Sequence, residues 1–150
     1  MPNILLPVPH QRQHKDADCL VACAAMLLAN LNKPTTYDRI YKLLKAKPFG
    51  TPGHHLHHLT TLGVQVSYRV GSMDELCAHL RDGRPCIALV NTIELGYWDY
   101  GTDHALVVVG YGDQTIFVND PAFDRHPIAI GMPEFELAWM AFDYRYGCLY

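Results

Sequence analysis

No stretch of this sequence stays apolar long enough to cross a membrane; the longest run, Leu20 to Ala29, is about half of the ~18 residues a span requires. It reads as a buried helix, and direct membrane insertion is not expected. The start, MPNILLPVPHQRQ, has no basic segment ahead of its short apolar stretch, which two prolines break, so no secretory signal is expected and the chain is expected to begin here. Charge is scarce: 18% of residues are charged, against about 25% in average soluble proteins. The net charge is −3 and no basic stripe is present, which disfavours nucleic acid and membrane surfaces as partners. Five cysteines form neither a CxxC pair nor a disulfide framework, so a zinc ribbon is unsupported and a reducing, cytoplasmic setting with free thiols is expected.

What is present is a 49% hydrophobic chain of 150 residues, a size suited to one compact domain, residues 1–150. Nine histidines are an excess, four of them in HHLHH. After a polar lead-in, CLVACAAMLLAN is apolar on every side, the pattern of a buried helix beginning at about Cys19, with Asp16 or Asp18 as N-cap and Asn30, Asn32 and Pro34 as stop signals. TYDRIYKLLK predicts a second helix capped by Thr35 or Thr36. A third is expected to be capped by Thr51, with Pro52 first, and to run to Gly63 with Leu56, Leu59 and Leu62 inward. VQVSYRV, residues 64–70, alternates as a strand, and Ser72 with Glu75 forms a capping box for MDELCAHLRD. CIALVN, HALVVVGY, TIFVN, PIAI and YGCLY then read as strands, with a short helix from Pro133. Helices gathered first and hairpin-linked strands second predict an α+β domain, N-terminal helices packed on an antiparallel β-sheet.

Cys19 is the residue most open to a chemical reading. At the N-terminus of a buried helix, free N–H groups and the helix dipole favour a thiolate. Acyl transfer by cysteine also needs a base, a group to hold that base and a donor for the oxyanion. His104 opens the most apolar strand and Asp120 ends the next, across a hairpin turning near residue 112, so the two can meet. Gln13, six residues before Cys19, can aim its amide at an oxyanion. The alternative is that Cys19 is a core thiol and His104 a strand-end histidine held by hydrogen bonds; spacing alone leaves both open.

The stretch Gln13-HKDAD-Cys19-LVACAAMLL resembles the active-site segment of the bacteriocin-processing, double-glycine-type cysteine peptidases of the papain-like clan, which place a glutamine six residues ahead of an Asp-Cys or Glu-Cys pair. The similarity continues through Gly50-Thr51-Pro52-Gly53 with Leu56, Leu59 and Leu62-Gly63, through Arg84-Pro85-Cys86-Ile87-Ala88-Leu89, and through His104-ALVVVGYGDQTIFVNDPA. It implies a papain-like fold and a cysteine peptidase in which Cys19 is the nucleophile, His104 the base and acid, Asp120 the orienter and Gln13 the oxyanion donor. Asn119 points to the opposite face from Asp120, and the resemblance selects Asp120. The implied substrate is a peptide or protein, cleaved after a Gly-rich junction, with no metal or organic cofactor. A separate membrane transporter or another docking protein is an implied partner, because such peptidases are commonly joined to one. Leu20 departs from the pattern: the family usually has glycine directly after the nucleophile, and a leucine there can narrow the cleft, redirecting or removing activity.

Two rival functions share these residues: a thiol acyltransferase or isopeptidase, and a peptidase-like binding module without activity. A third, metal binding, rests on His54, His55 and His58 at helical spacing, but no carboxylate or thiol lies nearby in sequence, and the run reads as a solvated helix face. Cys23, on the same helix face as Cys19, reads as core, as do Cys77 and Cys86. Tyr97, Trp98 and Tyr100, in the loop before His104, can wall a peptide cleft or simply cover a hairpin end.

Overall fold

The computed structural model describes residues 2–150. Seven antiparallel strands form one sheet: β1 (Pro2–Leu5), β2 (Val66–Val70), β3 (Cys86–Asn91), β4 (Asp103–Gly112), β5 (Thr115–Asn119), β6 (Ile128–Gly131) and β7 (Arg145–Leu149). Their order is β2-β7-β3-β4-β5-β6, and β1 extends the β3 edge by pairing with the far end of β4. The helices are α1 (Cys19–Asn30), α2 (Tyr37–Leu43), α3 (Met73–Arg81) and α4 (Met132–Met140). No helix is long and apolar enough to cross a membrane among the described residues.

Helices cover both faces of the sheet, not one. Ala105, Val107 and Val109 of β4 pack with α1 and α2, whereas Leu106 and Val108 pack with α3 and α4, in a core that includes Phe135, Trp139 and Tyr146. Burial on both faces is why β4 reads as a continuous apolar run rather than an alternation. Gly110 sits where β1 crosses closest; a Cβ there would lie 2.4 Å from the Ile4 carbonyl oxygen.

Thr36 caps α2 through Arg39 N–H and Ser72 caps α3 through Glu75 N–H, as the sequence predicts. The third helix differs. It is a 3-10 helix, Gly53–Leu62, preceded by Pro52 in an extended conformation, and the Thr51 hydroxyl is buried without a partner instead of capping. The spacing of three between Leu56, Leu59 and Leu62 is compatible with this: at three residues per turn they stack along one edge. Gly53 also packs against the ring of Tyr68, where a side chain would collide. The strand expected from Val64 begins at Val66, although Val64 is buried. β1 and a short 3-10 turn, Thr92–Glu94, were not anticipated; both are short, and β1 is flanked by Pro7.

Candidate active site

Cys19 is the first residue of α1, and Asp18 stands at the N-cap position without capping the helix. Its carboxylate turns back instead: Oδ1 accepts from Lys15 N–H at 2.7 Å, and Oδ2 accepts a short hydrogen bond from the Tyr37 hydroxyl. The first N–H groups of α1 are therefore left without a side-chain cap, directed at the space beside the thiol. Tyr37 in turn stacks on His14, 3.6 Å between ring centres, and its hydroxyl accepts from His14 N–H. This clamp from α2 holds the 13–18 loop against the helix.

His104 and Asp120 arrive from adjacent strands, and a β-bulge decides that they meet. Near the turn, Gly110 faces Phe117; past the bulge, Val108 faces Val118 and Val107 faces Asn119. The extra residue in β4 shifts the register by one, which reverses every side chain beyond it. His104 and Asp120 consequently share the face of Val108 and Val118, while Asn119 turns the other way and donates to the Val8 carbonyl at 3.2 Å.

His104 Nε2 donates to Asp120 Oδ1 at 2.7 Å, leaving Nδ1 as the ring nitrogen for the Cys19 sulfur. Asp120 has no exposed surface and receives three more hydrogen bonds: Oδ1 from Ala122 N–H at 3.0 Å, Oδ2 from the Tyr97 hydroxyl at 2.8 Å and the Trp98 indole at 3.0 Å. Burial alone would raise the carboxyl, but the His104 hydrogen bond and charge, helped by Ala122 and Trp98, outweigh it and hold Asp120 below its ordinary value. Burial likewise disfavours the imidazolium. Hydrogen bonds and charge at Asp120 and Cys19 prevail, and His104 is raised to about 9. Burial and the neighbouring Asp120 push the Tyr97 hydroxyl up, so it stays a donor.

Trp98 also lays its ring edge-on to His104, 4.8 Å between centres, shielding the imidazole–carboxylate pair from water. Its loop is pinned by Thr92, fully buried, whose hydroxyl donates to the Tyr100 carbonyl at 2.8 Å and accepts from Thr102 N–H at 2.9 Å. Neither sequence reading of the aromatic loop, cleft wall or hairpin-end cover, includes the hold of Tyr97 and Trp98 on Asp120; Tyr100, 61% exposed, lies edge-on to Trp98 at 5.5 Å. Nothing in the sequence marks Tyr37 or Thr92 for these tasks; each is a lone hydroxyl residue whose partner is remote along the chain.

Two hollows meet at His104. A cavity of about 640 Å³ is lined by Cys19, Leu20, Thr51, Leu89 and His104, and a groove of about 390 Å³ by Gln13, Tyr97, Trp98, Tyr100 and His104. Leu20 is only 2% exposed, turned mainly into the core, so it borders the cavity without filling it. Gln13 is tied in twice: its N–H donates to the Pro121 carbonyl at 2.9 Å, and its Nε2 donates to the Asp16 carbonyl at 3.0 Å. One amide hydrogen is held and the other is left uncommitted, while Oε1 is buried with no donor.

The remaining thiols are placed differently. Cys23 is fully buried and pushed well up by burial; Cys86 and Cys148 are buried on neighbouring strands, Cys86 Sγ donating to the Arg84 carbonyl at 3.8 Å; Cys77 is half-buried on α3. The histidine rings of the 3-10 helix touch edge to edge, His55 with His54 at 4.8 Å and with His58 at 5.4 Å, and His55 Nδ1 bonds the Leu44 carbonyl. Among the described residues no group of three His, Cys, Asp or Glu is arranged to hold a metal ion.

A family model described as "Peptidase_C39 like family" matches residues 5–146. No curated protein matches the chain. Among solved structures, a C39-like peptidase from Bacillus anthracis superposes with a TM-score of 0.82 at 16% identity, covering 98% of this chain and 96% of that one. A double glycine motif protease from an AMS/PCAT transporter, in complex with the leader peptide, gives 0.76 at 18%, covering 98% and 94%. The peptidase domain of Streptococcus ComA, a bifunctional ABC transporter of a quorum-sensing pathway, gives 0.75 at 18%, covering 97% and 96%. At such identities the likeness is one of fold: the papain-like α+β arrangement expected from the sequence.

Proposed function

The chain belongs to the Peptidase_C39 like family, and from that premise we propose that it is a cysteine peptidase whose catalytic residues are Cys19, His104, Asp120 and Gln13. The Cys19 thiolate attacks the scissile carbonyl carbon, and the oxyanion that forms accepts hydrogen bonds from the Cys19 N–H and the free hydrogen of Gln13 Nε2. Protonated His104 gives its Nδ1 proton to the leaving amine as the C–N bond breaks. Water then attacks the thioester carbonyl, His104 takes its proton, and the C–S bond breaks to release the acid and restore the thiolate beside protonated His104. Asp120 keeps the ring turned with Nδ1 toward sulfur.

The observation that carries this reading is the buried His104–Asp120 pair set beside the thiol at the uncapped end of α1, next to an open cavity. That cavity also favours an active peptidase over an inactive binding module, since Leu20 leaves it unblocked. By analogy with the double glycine motif protease, the substrate is a peptide or protein with a Gly-rich junction. An ABC transporter, or another docking protein, is the proposed partner, with a cytoplasmic location as part of the same proposal.

Iodoacetamide tests the nucleophile among the five thiols. Loss of peptidase activity is expected to track carboxamidomethylation of Cys19, read by peptide mapping, and a peptide substrate is expected to slow it. Inactivation that follows modification of half-buried Cys77, with Cys19 still free, would contradict the assignment.

A further inference from the structure

Of the five thiols, two that the proposed chemistry does not use face each other across the sheet. β3 pairs with β7 at Ile87–Gly147 and Ala88–Tyr146, and the same register sets Cys86, the first residue of β3, opposite Cys148. Opposed residues of an antiparallel pair point to one face. Both cysteines accordingly lie in the core with Leu76 and Leu80 of α3. Such residues have Cα atoms about 4.5 or 5.5 Å apart, according to the kind of pair, and a disulfide spans about 4.4–6.8 Å, so either kind can be bridged with little backbone movement.

The two thiols are chemically unequal. Cys148 is held below its ordinary value, by the Cys86 thiol first and then by Tyr150 and the charges of Arg84 and Arg69, against the effect of burial. Cys86 is pushed well up by the Cys148 thiol and by burial. Arg84 is fixed beside them: it donates to His79 Nδ1 at 2.8 Å and lies 4.2 Å over the Tyr150 ring. Cys86 has no exposed surface and Cys148 is 1% exposed, which admits an oxidant the size of water and turns away bulky disulfides.

We propose that Cys86 and Cys148 form a modification site, a dithiol that hydrogen peroxide converts to a cross-strand disulfide between β3 and β7. The Cys148 thiolate attacks one peroxide oxygen, the O–O bond breaks, and hydroxide leaves and takes up the thiol proton, giving a sulfenic acid and water. Cys86 sulfur then attacks Cys148 sulfur; the S–S bond forms, the S–O bond breaks, and the Cys86 proton departs with the hydroxide as a second water. Two thiols and one peroxide thus give one disulfide and two waters. The bond would fasten a short joint: β2 reaches the rest of the sheet through β7, and the β3–β7 ladder is shorter than the five pairs of β2–β7 or the six of β3–β4. The inference is independent of the peptidase reading.

The test uses Cys19→Ala, which removes the proposed nucleophile, exposed to hydrogen peroxide in native buffer, then alkylated in denaturant without reduction and mapped by mass spectrometry. A linked peptide holding Cys86 and Cys148 is expected, lighter by two hydrogens than its parts and lost on reduction. Because the bond closes a ring of about 60 residues, Tm is expected to rise by about 10 °C. Adding Cys86→Val, which keeps the core apolar, is expected to remove both the link and the Tm rise and to leave Cys148 as a sulfenic or sulfinic acid. Four results would overturn the site: both thiols still alkylated while half-buried Cys77 is oxidised, separate sulfinic acids on Cys86 and Cys148, a link between other thiols, or a link that forms only in urea.

Discussion

Asp120→Ala is expected to lower kcat/KM by about 10⁴-fold, the scale seen when the orienting carboxylate of a catalytic triad is lost, and to destabilise the fold by about 3–5 kcal/mol. Both effects follow from one buried carboxylate with four donors on it. Its removal leaves His104 Nε2, the Tyr97 hydroxyl, the Trp98 indole and Ala122 N–H without their buried acceptor. The ring of His104 also loses the bond that sets which nitrogen faces sulfur. Asp120→Asn should be milder in stability and still strongly impaired in rate. Its amide oxygen can serve His104 Nε2, but its NH2 then faces Tyr97 and Trp98; the Tyr97 hydroxyl can rotate to accept, whereas the indole N–H cannot. Urea unfolding and steady-state kinetics of the two variants separate these costs. An alanine variant with wild-type kinetics would remove Asp120 from the mechanism.

His104→Ala should be more damaging to rate, about 10⁶-fold, because it removes the only proposed acid and base together. The wild-type pH profile should carry the signature of this group. His104 is raised from 6.5 to about 9, so its proton is present through neutrality and is lost as pH rises through about 9. Acylation should fall on that alkaline limb, since the leaving amine then finds no acid. Stability should fall over the same range. A folded-state value above the unfolded one means that the contribution is complete below about 6.5 and disappears as pH rises through 9. The Asp120 contribution has the opposite sense: present above 3.8, it is lost as pH falls through the lowered folded value. The difference in unfolding free energy between wild type and His104→Ala, followed from pH 5 to 10, should therefore shrink between about 6.5 and 9 and level off above that. A difference that grows over that range would contradict the protonated ring.

The sequence foretold His104 and Asp120 meeting, but by an argument that omitted the bulge. A hairpin turning near residue 112 brings their strands side by side, yet an unbulged β4 would have put His104 on the face of Asn119 rather than that of Asp120. One extra residue in a run of valines has no compositional mark, so spacing alone could not choose between the two carboxamide and carboxylate candidates; the resemblance did. α1 was legible because twelve residues, all but the last apolar, after a polar lead-in have one plausible structure. The uncapped state of its first turn was not, since Asp18 is a good cap by residue type and only the remote Tyr37 and the local turn at Lys15 draw it away. The conformation of residues 53–62 was hidden for a different reason. Leucines three apart suit α and 3-10 helices about equally in sequence, and the choice depends on what Gly53 meets across the fold, the ring of Tyr68.

The central claim, peptide cleavage through Cys19, is tested most directly by incubating wild type and Cys19→Ala with a diverse peptide mixture and reading new termini by mass spectrometry. Wild type is expected to yield products at a restricted set of junctions and Cys19→Ala none. Equal cutting by both proteins, or no cutting of any peptide by either, would contradict it.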